Sequence, residues 1–217
     1  MNRLERAGRQ PAPRPNTTTT STVGAMTSDR PYHHGDLAPS LRQAAREILE
    51  AEGLSALSLR SVARRAGVSH AVPYRHYASR EALLADVAVE GLAELRGEIA
   101  HAAAVPADRA ETIVRVGRAY MRFAVRHAGL LRLMFGSELP NRTGFPGLTE
   151  ATAAIGQEIG RAIGDSPAGL AVWAAIHGLA MLILENVIDL GQTQAGMDVV
   201  PSRAEIILRS LTEALSL

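Results

Sequence analysis

Between Ser58 and Leu84 the chain gathers side chains suited to gripping a polyanion and reading what lies between its charges. Ser69, His70 and Ala71 are adjacent; a histidine can donate to guanine or thymine acceptors, and an alanine methyl can touch a thymine methyl. Arg80 supplies a guanidinium fork that fits a phosphate, and Ser58 and Arg60 add a hydroxyl and a second cation nearby. Catalytic constellations are missing: there is no serine–histidine–aspartate elbow, no phosphate-cradling loop and no metal cluster. The run Tyr32-His33-His34-Gly35-Asp36 invites a metal reading. Adjacent histidines do not easily face one ion, however, and no third ligand follows at helical spacing. We read the run as ordering an arm or touching DNA, and expect no enzyme, no resident metal and no cofactor.

The elements that must position these residues are legible. Ser58 can cap a helix by accepting a free N–H of its first turn, and Leu59, Val62, Ala63 and Ala66 then recur on one face. Gly67 stands where that helix must stop, Val68 can fill the corner, and Ser69 can cap a second helix running to about Tyr77. Two short helices about a glycine turn make a helix-turn-helix, whose second helix enters the DNA major groove.

The motif is more specific than that anatomy. Gly67-Val68-Ser69, Tyr74-Arg75-His76-Tyr77 and Ser79-Arg80-Glu81-Ala82-Leu83-Leu84 resemble the TetR family of bacterial transcriptional regulators over about residues 32–85. Arg80 stands where lysine is commoner, and Pro73 where leucine is commoner. The resemblance implies that Tyr74, His76 and Tyr77 reach phosphates, with Tyr77 also suited to packing the three-helix unit. It further implies homodimerisation through two C-terminal helices of each subunit. Farther on, Trp173-Ala-Ala-Ile-His177-Gly178 resembles the Trp-x-x-x-His-Gly signature of one C-terminal subfamily.

Composition agrees with an all-α chain. Its 217 residues can bury a real core, and no strand-like alternation appears. There is no cysteine, which excludes disulfides and thiolate metal sites and fits the cytoplasm. No apolar run reaches the roughly 18 residues of a membrane span; Leu170–Leu184 comes nearest. The net charge of +1 is uneven. Residues 1–80 carry twelve arginines against six acids, and residues 81–217 eleven against sixteen. A basic front suits docking on phosphate.

Residues 1–30, with Pro11, Pro13, Pro15 and the Thr17–Thr22 run, are expected to form a disordered arm. Residues 31–80 then form the DNA-binding domain and 81–217 an effector-binding and dimerisation domain. Helices are expected at about 39–51, 59–66, 70–77, 79–104, 108–127, 130–135, 148–163, 165–190 and 201–215, with a loop over 136–147. Tyr120, Phe123, His127, Met134, Phe135, Phe145, Trp173, His177 and Met181 are the candidates to line an effector pocket. The pairs Phe123/His127 and Trp173/His177 are each four apart and so share a helix face. Leu170, Ala171, Ala174, Ala175, Gly178, Leu182, Ile206, Ile207, Leu211 and Leu215 give apolar and small-residue faces suited to a dimer. The expected function is a homodimeric repressor on a near-palindromic operator of double-stranded DNA, released by a small apolar ligand. The alternative is a ligand-independent activator or architectural DNA binder.

Overall fold

The computed structural model describes residues 37–188 and 199–214, with the side chains of 199–202 excepted. The arm expected over residues 1–30, the Tyr32–Asp36 run and Leu215 lie outside the described residues. The described residues form helices and turns, with no strand among them.

Helix α1 (Leu37–Glu52) buries the expected stripe of Leu41, Ala44, Ala45, Ile48 and Leu49. A 3₁₀ turn (Leu54–Ala56) leads to α2 (Leu59–Arg65), which begins at a reciprocal cap. The Ser61 amide donates to Ser58 Oγ at 3.0 Å, and the Ser58 amide donates to Ser61 Oγ at 2.8 Å. Helix α2 ends in a Schellman turn: the Val68 amide reaches the Ala63 carbonyl at 3.0 Å while Gly67 takes φ +69°. Glycine is needed there for its φ alone, because a Cβ would meet open space.

Helix α3 (Pro73–His76) is shorter than the expected 70–77. Pro73 has no N–H to donate to Ser69, so an α-helix cannot run through from residue 70. The Val72 amide instead takes the Ser69 carbonyl at 2.9 Å as a tight turn, and the helix starts at the proline. Ser69, His70 and Ala71 therefore sit on a turn leading into the helix, not in its first turn.

Helix α4 (Arg80–Ala103) is the spine, capped by Ser79 Oγ, which accepts from the Ala82 amide at 3.2 Å. Its buried Leu83, Leu84, Val87, Leu92, Leu95 and Ile99 join the front helices to the rest in one core. Helix α5 (Arg109–Arg126) breaks at His127, and α6 (Ala128–Phe135) follows at once. Helices α6 and α4 approach closely at Gly91, where a Cβ would stand 2.8–2.9 Å from Met134 and Leu130. Helix α7 (Pro146–Ile163) packs along α4, and α9 (Val199–Ala214) lies along α5. The α5–α9 seam is tight at Gly117, where a Cβ would collide with Leu208, and is edged by Arg118–Glu205 (3.2 Å) and Arg209–Glu111 (2.9 Å).

Helix α8 (Pro167–Leu184) stops short of the expected Leu190. Asn186 adopts φ +56°, and the Val187 amide returns to the Leu182 carbonyl at 2.9 Å. An asparagine tolerates this left-handed position, so the helix stops before Gly191.

Candidate nucleic-acid interface and the regulatory core

The helix-turn-helix presents one polar face. Ser58, Arg60, Ser69, His70, Ala71 and His76 are exposed, and Tyr74 is 63% exposed. Arg64 and Arg75, neither among the expected contacts, share the exposure. Arg60, Arg64 and Arg75 make no ion pair among the described residues, whereas Arg65 pairs with Glu52 and Glu47. The absence of a carboxylate within reach is what separates the first three, and only the fold shows it.

Two expected DNA contacts have protein partners in the fold. Tyr77 is 5% exposed and belongs to the core; its hydroxyl accepts from Arg42 Nη1 at 3.4 Å, and burial raises its pKa. The ring is spent on packing α1 against α4, not held toward solvent. Arg80 donates from Nε to the Leu57 carbonyl at 2.7 Å and from Nη2 to the Leu54 carbonyl at 2.9 Å. Its fork ties the start of α4 to the 3₁₀ turn, giving the Leu57 carbonyl a donor and the Leu54 carbonyl a second one beside the Leu57 amide.

The expected effector residues divide into two groups. Tyr120, Phe135, Trp173 and His177 come together. The Tyr120 hydroxyl lies 2.7 Å from His177 Nδ1, and the His177 ring is 4.9 Å from Phe135 and 6.4 Å from Trp173. Tyr120 is buried, while Phe135, Trp173, His177 and Met181 are half-buried against the core. Burial holds the Tyr120 phenol protonated, far above its ordinary pKa, and pulls the His177 imidazole below its own. Trp173 Nε1 is sealed from solvent and has no hydrogen-bond partner among the described residues. Phe123 and Met134 are fully buried core, and Phe145 opens α7 with no ring contact to the cluster among the described residues.

His127 lies apart from the ring cluster. It sits at the junction of α1, α4 and α6, 3.2 Å from Arg46 Nη2 and 3.4 Å from Glu94. Arg46 pairs with Glu94 at 2.6 Å. Glu50, from the end of α1, accepts from the Gly129 and Leu130 amides at 3.0 and 3.2 Å and so caps α6. Burial and then the Arg46 charge lower the His127 pKa, against the pull of Glu94 and Glu50. Helix α6 thus runs from a cap supplied by α1 to Phe135 in the ring cluster. The described clefts lie away from that cluster: one of about 250 Å³ opens beside Glu50, Gly129 and Leu133, and one of about 460 Å³ beside Glu98 and Arg122. No group of three metal-ligating side chains occurs among the described residues.

By its length and composition α8 could cross a membrane, because the helix begins at Pro167 and so reaches 18 residues where Leu170–Leu184 alone falls short. Gly169, Val172, Ile176, Ala180 and Ile183 nevertheless form a buried seam along it.

Comparisons with known proteins agree with this geometry. Residues 41–87 match the model of bacterial regulatory proteins of the tetR family, and residues 113–198 match the tetracyclin repressor-like C-terminal domain. No curated protein matches the chain. Among solved structures, a protein of unknown function from Rhodococcus sp. RHA1 is 32% identical, with 84% of this chain and 98% of that one covered and a TM-score of 0.64. A bacterial regulatory protein in the tetR family from Rhodococcus RHA1 is 19% identical, covering 80% and 95%, at TM-score 0.63. The multidrug binding protein EbrR, complexed with imidazole, is 19% identical, covering 81% and 94%, at TM-score 0.56. With an exposed polar helix-turn-helix at the front and a tetracyclin repressor-like domain behind it, this chain belongs to the TetR family and is a DNA-binding transcriptional regulator, not an enzyme.

Proposed function

We propose that the protein is a cytoplasmic homodimeric repressor, released from a near-palindromic operator when a small apolar molecule binds its ring cluster. Residues 31–80 would form the reading head and residues 81–217 the sensing and pairing half. The observation that carries the dimer is the apolar face left open on α8 and α9. Leu170 is 61% exposed, Leu182 41%, Ile206 68% and Ile207 43%, with Ala171, Ala174 and Ala175 exposed between them. Gly178 and Leu211 are half-buried beside them. A second copy of the same two helices would cover this surface, and the alanines allow close helix packing. The same pairing accounts for the apolar character of α8 without a membrane. Two recognition helices would then stand roughly 34–36 Å apart, one turn of DNA.

Release is a two-state matter. A ligand shifts the spacing of the reading heads only by binding one state better than the other. Helix α6 is suited to carry that bias, because Phe135 ends it in the ring cluster and Glu50 of α1 caps its start. EbrR, a relative in fold, is described as a multidrug binding protein. The ring-to-ring contacts of the cluster, which fill part of the space a ligand would take, favour the second reading, a ligand-independent activator or architectural binder. Fluorescence anisotropy on the DNA upstream of the protein's own gene tests the first. Tight, salt-sensitive and selective binding that an apolar compound reverses supports it; selective binding that no compound reverses favours the second. Light scattering after size exclusion checks the dimer, and a monomer would remove the paired-head mechanism.

A further inference from the structure

The ring cluster contains one feature that apolar packing does not explain. A buried indole N–H ordinarily finds a partner, yet Trp173 Nε1 is sealed from solvent and has no hydrogen-bond partner among the described residues. Its neighbour on the same face of α8, His177, is in a defined state. The buried Tyr120 hydroxyl must donate its proton somewhere, and the His177 Nδ1 at 2.7 Å is the acceptor it has among the described residues. With Nδ1 accepting, the neutral imidazole carries its proton on Nε2, which makes no bond within the described residues. The cluster therefore presents two N–H donors one helical turn apart, and hydrocarbon around them from Phe135 and, one turn on, Met181. No arginine is bonded to any of the four rings among the described residues, which favours a neutral oxygen over a carboxylate.

We propose that Trp173 and His177 form a two-donor recognition site for an apolar effector bearing a neutral carbonyl oxygen, a ketone or quinone on a hydrocarbon frame. The proposal rests on the effector reading above and narrows it. A hydrocarbon of the same shape satisfies neither donor, whereas a carbonyl oxygen, with two lone pairs, satisfies one or both. Tyr120 is a positioning residue: its hydroxyl sets the imidazole tautomer so that the free nitrogen donates.

The chain has a single tryptophan, so its one indole N–H signal reports this site directly. The experiment titrates the full-length ¹⁵N-labelled protein with matched pairs of probes: indane and indanone, fluorene and fluorenone. The ketones should move the indole proton downfield and bind about tenfold more tightly than their hydrocarbons. In Trp173→Phe the preference should shrink severalfold, with operator binding retained as the check on folding. In Tyr120→Phe the histidine ¹⁵N signals should shift toward the other tautomer, a change that loss of packing alone would not produce. Equal binding of ketone and hydrocarbon, or no indole movement with any ketone, overturns the proposal. Release of operator DNA by both members of a pair alike would leave the effector reading standing and remove the two-donor site. Ketone-selective binding at Trp173 that never releases DNA would do the reverse.

Discussion

His127 and His177 look alike in the sequence and lead opposite lives in the fold. Each follows an aromatic residue by four positions in the C-terminal half, and each shares a face with that ring. His127, 5.0 Å from Phe123, turns outward into a charged junction with Arg46, Glu50 and Glu94. His177, 6.4 Å from Trp173, turns inward to a phenol and two rings. The first bridges α1, α4 and α6; the second lies in the cluster proposed to sense a ligand. Spacing tells which side chains share a face, but what that face meets is a property of the neighbouring helices.

The largest test of this contrast is Phe123→Ala. Phe123 is fully buried, so its loss should cost about 3–5 kcal/mol in denaturant unfolding. A cost below about 1 kcal/mol would mean that the His127 side is not core-backed. Next comes Arg80→Ala, which carries the contrast into the DNA-binding half. Removing a charged fork from two backbone carbonyls should lower stability by about 2 kcal/mol. A fall in operator affinity at unchanged stability would return Arg80 to phosphate binding. Tyr120→Phe should cost about 1–2 kcal/mol in the same assay by orphaning His177 Nδ1. No cost would show that the imidazole turns to another partner.

The pH dependence sharpens the comparison further. Both imidazoles have folded pKa values below the ordinary one, so the unfolded chain takes up protons first as pH falls. Stability is thus full above the unfolded value of about 6.5 and declines as pH drops below it toward the folded values. His127 faces Glu50 and Glu94, which favour its charged form, as well as Arg46 and Arg126, which oppose it. His177 has burial alone as its cause. Melting curves at about pH 7.5 and 5.5 should therefore show more of the acid loss removed by His177→Phe than by His127→Gln. Equal effects would erase the distinction. The smallest stability change is expected at Tyr74→Ala, within about 0.5 kcal/mol for an exposed ring, with weaker operator binding in anisotropy titrations. Tyr77, three residues on and buried, has no such freedom.

Local chemistry was legible where one residue type has one use. The α1 stripe, the Ser58 cap and the Gly67 turn stand as read, because helical period, a capping hydroxyl and a positive φ are decided within a few residues. Two boundaries moved for equally local reasons that the apolar pattern hides. Pro73 withholds a donor and delays α3, and Asn186 accepts the left-handed φ that ends α8. Both signals were present in the chain and were outweighed by the helical period around them.

The chain by itself thus determined most of its helices, the caps of α2 and α4 and a helix-turn-helix, since each depends on neighbours a few positions away, whereas the α6 cap came from Glu50 of α1. Tertiary structure alone decided which arginines remain unpaired and that Arg80 serves the backbone. It also decided that Tyr77 packs, and that His127 and His177 part company. Those outcomes depend on groups 23 to 81 residues distant, such as Leu57 for Arg80, Arg42 for Tyr77, Tyr120 for His177 and Arg46 for His127. A side chain's charge, burial and hydrogen bonds are set by whatever the fold brings against it, and no local spacing carries that information.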